Sequence, residues 1–143
     1  MDACEKKQLQ LMATKVRLGI LEGVFNAKSG HPGGSLSSAD IMTYLYFKEL
    51  RIDPNHPNDP DRDRFVLSKG HCAPGLYSAL ANRGYFPVEQ LKTLRQIGSM
   101  LQGHPNMNDT PGVDMSTGSL GQGISAADGM ALAAKLDHKN YRV

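Results

Sequence analysis

Three histidines in this chain each follow a glycine, in Gly30-His31-Pro32, Gly70-His71-Cys72 and Gly103-His104-Pro105. An imidazole can give or take a proton near neutral pH, so it suits acid–base work. The glycine before each lets the backbone come close to a ligand, and a following proline stiffens two of the three turns. A fourth stretch, Ser116-Thr117-Gly118-Ser119-Leu120-Gly121-Gln122-Gly123, is a Gly-rich loop running into a helix. Its backbone N–H groups are free to meet a ligand. It matches neither the Walker pattern nor Gly-x-Gly-x-x-Gly, so taken alone it is a weak signal.

Blander readings compete with this one. A turn histidine most often faces solvent or caps a helix, and His56 and His138, in polar stretches without a glycine partner, are read that way. Three histidines can also hold a catalytic zinc ion. The chain has no His-x-x-x-His spacing and no cysteine pair, which disfavours zinc. Cys72 reads as a small buried residue rather than a reactive thiol.

These residues need elements to hold them. Leu9, Met12, Val16, Ile20 and Val24 recur at three- and four-residue steps, widened by Leu21 and Phe25, and predict a helix over residues 6–27. Gly30 is expected to take its left-handed cap. Ser37-Ser38-Ala39-Asp40 reads as an N-cap before a helix carrying Ile41, Tyr44, Leu45 and Leu50. Three prolines make residues 53–60 a loop, and Phe65-Val66-Leu67 reads as a buried strand with His71 directly after it. Ligands of open α/β sheets collect beyond the carboxyl ends of strands, so the loops are expected to converge on one cleft. Pro74 opens a helix that Gly84 closes, and Pro87 opens another that ends near Gly98. Residues 98–119 form a long loop of functional length. A helix of small residues from about Leu120 is expected to pack closely on another element, and Tyr141-Arg142-Val143 looks like the opening of a strand.

The 143 residues, 40% hydrophobic and 21% charged, fit one globular domain. A formal charge of +2, spread without a basic block, argues against nucleic acid as partner. No apolar run reaches membrane-spanning length, and the polar N-terminus lacks a signal-peptide core. Two cysteines are too few for a disulfide framework, so the cytoplasm is the expected compartment.

Taken together and in order, Ser29-Gly30-His31-Pro32-Gly33, Leu67-Ser68-Lys69-Gly70-His71, Gly103-His104-Pro105 and residues 116–123 resemble the N-terminal segment of transketolases. The similarity runs from about residue 8 to the end. It is most like the split bacterial and archaeal type, in which the thiamine-diphosphate domain is a separate N-terminal subunit. The resemblance implies an α/β thiamine-diphosphate-binding fold, a parallel sheet with helices on both faces, helix-rich and incomplete in this portion. Residues 1–143 would be the N-terminal part of a single pyrophosphate-type domain. The implied cofactors are thiamine diphosphate and Mg²⁺ or Ca²⁺. The implied reaction, in the pentose phosphate pathway, moves a two-carbon ketol unit from a ketose phosphate to an aldose phosphate.

By the same resemblance, His31 and His104 face the substrate as catalytic residues. His71 bonds the cofactor diphosphate, and Gly118, Ser119 and Leu120 hold the cofactor. The family's metal motif, Gly-Asp-Gly with a later Asn, follows a strand that this chain reaches only at Val143, so no metal ligand is named. Many relatives carry a serine three residues after the first histidine, where this chain has Gly34. That hydrogen bond is expected to be lost or supplied by Ser35. The chain is expected to need a C-terminal transketolase section or subunit, as a homodimer or heterotetramer, and not to be active alone. Three alternatives stay open: a related thiamine enzyme such as 1-deoxyxylulose-5-phosphate synthase or a formaldehyde-using transketolase, against which the second Gly-His-Pro counts in the family pattern, a non-catalytic assembly or binding module, and a metal-binding protein.

Overall fold

The computed structural model describes residues 1–143 and contains five α-helices joined by tight helical turns and loops. Helix α1 spans Ala3–Ala27. It starts three residues earlier than the apolar period alone implies because Asp2 caps it, its carboxylate accepting from the Glu5 N–H at 2.8 Å. Ala13, Val16 and Ile20 are buried, whereas Leu21 and Phe25, expected to widen the buried stripe, are exposed. The cap differs from expectation too. Lys28 takes the left-handed position at φ 48, and Gly30 follows at φ 145 in a wider turn.

Helix α2, Pro32–Leu36, begins directly after His31. Proline suits its first position, where the missing N–H would have had no partner. Helix α3, Ala39–Tyr44, runs on into a wide π turn, Leu45–Glu49, closed by Leu50 N–H to the Leu45 carbonyl at 2.8 Å. Ser38 precedes α3 as expected but does not cap it. Its hydroxyl turns back to the carbonyls of Gly34 and Ser35, at 3.1 and 3.2 Å. The inward face carries Met42, Thr43 and Tyr46, leaving Ile41 and Tyr44 exposed.

Helix α4, Ala73–Arg83, is the centre of the fold, with every residue from Ala73 to Ala81 buried. Gly84 caps it at φ 105, as the sequence predicts. Its neighbours are α1, α3 and a 3₁₀ turn, Val88–Thr93, that replaces the helix expected after Pro87. Leu76, Tyr77, Leu80, Leu91, Leu94 and Leu101 fill the main core. The Ser78 hydroxyl donates to the Val16 carbonyl at 2.7 Å and ties α4 to α1.

The parallel sheet is not formed in this chain, which has no strand. A strand needs a neighbour for its N–H and C=O groups. Here no backbone bond joins 65–67 to 141–143; the one bond between these stretches runs from Arg64 N–H, just before the segment, to the Arg142 carbonyl at 2.8 Å. Side chains serve two of the segment's groups: Phe65 N–H donates to the Asp114 carboxylate at 2.7 Å, and the Leu67 carbonyl accepts from the Thr117 hydroxyl at 2.7 Å. Helix α5, Gln122–Leu136, is the small-residue helix. Close packing is confined to Gly123 and Ala134, its buried residues, and Ile124, Leu132 and Leu136 are exposed. No helix is long and apolar enough to cross a membrane.

Candidate functional site

His31 sits just before α2, with φ −122 and ψ 75. Its carbonyl accepts from both the N–H and the hydroxyl of Ser35, at 3.2 and 2.9 Å, which anchors the turn. Ser35 is fully buried, and its hydroxyl also approaches the Cys72 carbonyl at 3.4 Å. It therefore looks inward, toward the backbone of the first two loops. His71 lies in a 3₁₀ turn, Gly70–Cys72, that leads into α4. The two imidazoles meet edge to face, ring centres 4.9 Å apart and planes at 78°.

The other two loops close on this pair. Gly70 packs on the backbone of Thr117, where a Cβ would lie 2.6 Å from the carbonyl carbon, so only glycine fits. Gly118 faces the His104 ring, with the position of its missing Cβ 3.4 Å from Cδ2. Ser68 holds the start of α5, its hydroxyl accepting from the Ile124 N–H at 3.1 Å. The loops after residues 30, 70, 103 and 116 therefore converge, as their composition predicts. His31 and His104 are exposed and His71 half-exposed, so the imidazoles line an open surface. Ser119 and Leu120 are exposed beside them.

Several supporting residues make contacts that no sequence signal announces. The Lys69 ammonium donates to the Gly34 carbonyl at 2.6 Å and lies 3.3 Å from the Ser37 hydroxyl, locking the second loop to α2. Tyr77, wholly buried in α4, points its hydroxyl at the carbonyls of Gln102 and His104, 3.0 Å from each. Burial pushes that phenol's pKa up, so it stays a neutral donor. Cys72 is fully buried, and burial likewise pushes its thiol up, in line with an inert packing role.

The site fits a diphosphate. The N–H groups of Gly118, Ser119 and Leu120 donate to no carbonyl of the chain and lie just ahead of the positive end of α5. No group of three His, Cys, Asp or Glu residues is placed to hold a metal ion. His56 pairs with Asp53 on an exposed loop at 2.9 Å, and His138 is exposed after α5, both apart from the cluster.

Comparison with known proteins assigns the family. Residues 8–142 match the family model described as transketolase, thiamine diphosphate binding domain. The chain is 54% identical over 130 residues to the 6-deoxy-6-sulfo-D-fructose transketolase subunit of Clostridium sp. (strain MSTE9), covering 91% of this chain and 47% of that subunit. It is 45% identical over 134 residues to one subunit of the apulose-4-phosphate transketolase of Phocaeicola vulgatus, covering 94% and 47%. Among solved structures, the Pichia stipitis transketolase in complex with sedoheptulose-7-phosphate superposes with a TM-score of 0.84 at 44% identity, over 87% of this chain and 18% of that one. The Campylobacter jejuni transketolase also gives 0.84, at 40% identity over 94% and 21%. The chain belongs to the transketolase N-terminal, thiamine-diphosphate-binding family. It spans about half the length of the curated split subunits it matches.

Proposed function

We propose that residues 1–143 form the N-terminal part of a single pyrophosphate-type domain of a cytoplasmic transketolase. With a complementary section or subunit, as a homodimer or heterotetramer, the chain moves a two-carbon ketol unit between sugar phosphates. What supports this most is the meeting of four distant loops around His31 and His71, with His104 against Gly118, in a chain of this family. His71 and the free N–H groups of Gly118, Ser119 and Leu120 would hold the cofactor's diphosphate.

The bound cofactor supplies a carbon nucleophile and an electron sink. The chain's own part is orientation and proton handling. His31 and His104 would hold the donor's hydroxyl groups from two sides. As the donor's C2–C3 bond breaks, the C3 hydroxyl becomes a carbonyl and one of these imidazoles takes its proton. When the new carbon–carbon bond forms to the acceptor, the same nitrogen returns a proton to the acceptor's former aldehyde oxygen. Mg²⁺ or Ca²⁺ would accompany the diphosphate.

The test is ketol transfer from a ketose phosphate by the full-length subunit with its complementary section, thiamine diphosphate and Mg²⁺. Transfer is expected in the complete mixture. His31→Ala and His104→Ala should each lower kcat by ~10² or more, with folding stability changed by less than about 0.5 kcal/mol because both side chains are exposed. No transfer from any ketose phosphate, with the subunits assembled, would instead favour an assembly role.

A further inference from the structure

Arg95 lies just past the 3₁₀ turn that packs on α4. Its backbone is left-handed, φ 60, a conformation a long side chain rarely adopts. Its N–H donates to the Leu101 carbonyl at 2.8 Å, which folds the 95–101 loop back on itself. The guanidinium then reaches both Gly-His-Pro turns. Nη1 donates to the Ser29 hydroxyl at 2.5 Å, two residues before His31. On its other side lies Gly103, one residue before His104, where a Cβ would sit 3.2 Å from Nε and 3.4 Å from Cζ and Nη2. Nε itself is buried and donates to nothing. A left-handed arginine with an orphan buried donor carries two costs at one residue, and such costs persist mainly where function needs the geometry. A loop brace alone would not require either.

We propose that Arg95 is a positioning residue that sets His31 and His104 relative to each other, through Ser29 on one side and Gly103 on the other. The inference rests on the ketol-transfer reading above. A planar cation suits the task because its fork can bond one turn while its body packs on the backbone of the other. Lysine, a point charge, keeps only the charge.

The test uses the full-length enzyme with its complementary section and the variants R95M, R95K, S29A and S29A/R95M. Measured are kcat and KM for a ketose phosphate, the Kd of thiamine diphosphate, and the imidazole NMR resonances of His31 and His104. R95M should lower kcat by roughly 10- to 100-fold, the scale of a small misplacement of reacting groups, while the cofactor Kd stays within about twofold. R95K should restore little of the loss. S29A should lower kcat by about 3-fold or more, and the double variant should be no worse than R95M, since both act through one bond. The resonances of both histidines should move in R95M and in S29A.

Unchanged kcat in R95M and S29A would overturn the proposal, as would full rescue by R95K. So would a loss in kcat matched by an equal loss of cofactor affinity, the mark of general disorder. If R95M does not fold, S29A decides by the same kcat criterion. If the wild-type enzyme transfers no ketol unit, the ketol-transfer reading fails, and the bridge is judged on the resonances alone. Both moving in S29A keeps it, and neither moving overturns it.

Discussion

A buried hydroxyl shows how one residue serves the site without lining it. Tyr77 stands in the core of α4 and supplies the O–H shared by the carbonyls of Gln102 and His104. Replacing it with phenylalanine keeps the packing and frees both carbonyls. The expected cost is about 0.5–1.5 kcal/mol, the net worth of one hydrogen bond, because Gln102 and His104 are exposed and water can serve the freed carbonyls. Tyr77→Phe should therefore lower the urea midpoint, with kcat falling further than the loss of folded protein explains, since the His104 turn loosens. The histidines themselves are legible in the sequence, because glycine, imidazole and proline recur at the ends of elements. Tyr77, Lys69 and Arg95 are not. Each acts across 25 to 66 residues of chain, and nothing next to them in the sequence announces the partner.

At the scale of elements, α1 and α4 follow from their sequences because local rules suffice: apolar spacing, a first-turn proline in α4, and the Gly84 cap that ends it. The α1 C-terminus is the instructive exception. Gly30 is the natural cap, yet Lys28 holds the left-handed angle, and its N–H donates to the Phe25 carbonyl at 3.2 Å. A left-handed lysine costs about 1–2 kcal/mol, and glycine there would regain this less about 0.5–1 kcal/mol of added freedom in the unfolded chain. Lys28→Gly should thus stabilise by about 0.5–1 kcal/mol, read from thermal or urea melts. A loss of stability would mean that the ammonium makes contacts worth more than the angle costs. The expected strands fail for a different reason. Phe65-Val66-Leu67 has strand composition, but a strand is a property of two segments, and no backbone bond joins it to 141–143.

For the molecule as a whole, the far end of the chain is clasped by one carboxylate. Asp63, wholly buried, accepts from the backbone N–H groups of Arg51 and Arg142 at 3.0 and 2.8 Å and from both guanidiniums. Burial pushes its pKa up, but the bonds from Arg51 and Arg142 outweigh burial and hold it well below the usual carboxylate range. Arg142 also bonds Glu49, and Arg51 reaches the Asn140 carbonyl. Because Asp63 is the more acidic in the folded state, its stabilisation is full above the unfolded pKa of about 3.9 and shrinks as pH falls below it. Asp63→Asn should cost about 1–3 kcal/mol at pH 7, less than breaking a fully buried pair, since both guanidiniums are half in solvent. The gap between wild type and variant should narrow below about pH 4. A gap that stays constant to about pH 2.5 would show that shape rather than charge makes the contact.

The way the loops are pinned also sets an order in time. The bonds that assemble the site join residues 35, 50, 56 and 66 positions apart, whereas α1 and α4 close through bonds three and four residues apart. Closing long loops is entropically slow, so the individual helices form before the histidine cluster is completed. A newly made or refolding chain would thus pass through a stage that is already helical but cannot yet hold a diphosphate. During that stage the cofactor would have nothing to select, and only the finished arrangement of loops could be drawn forward by it.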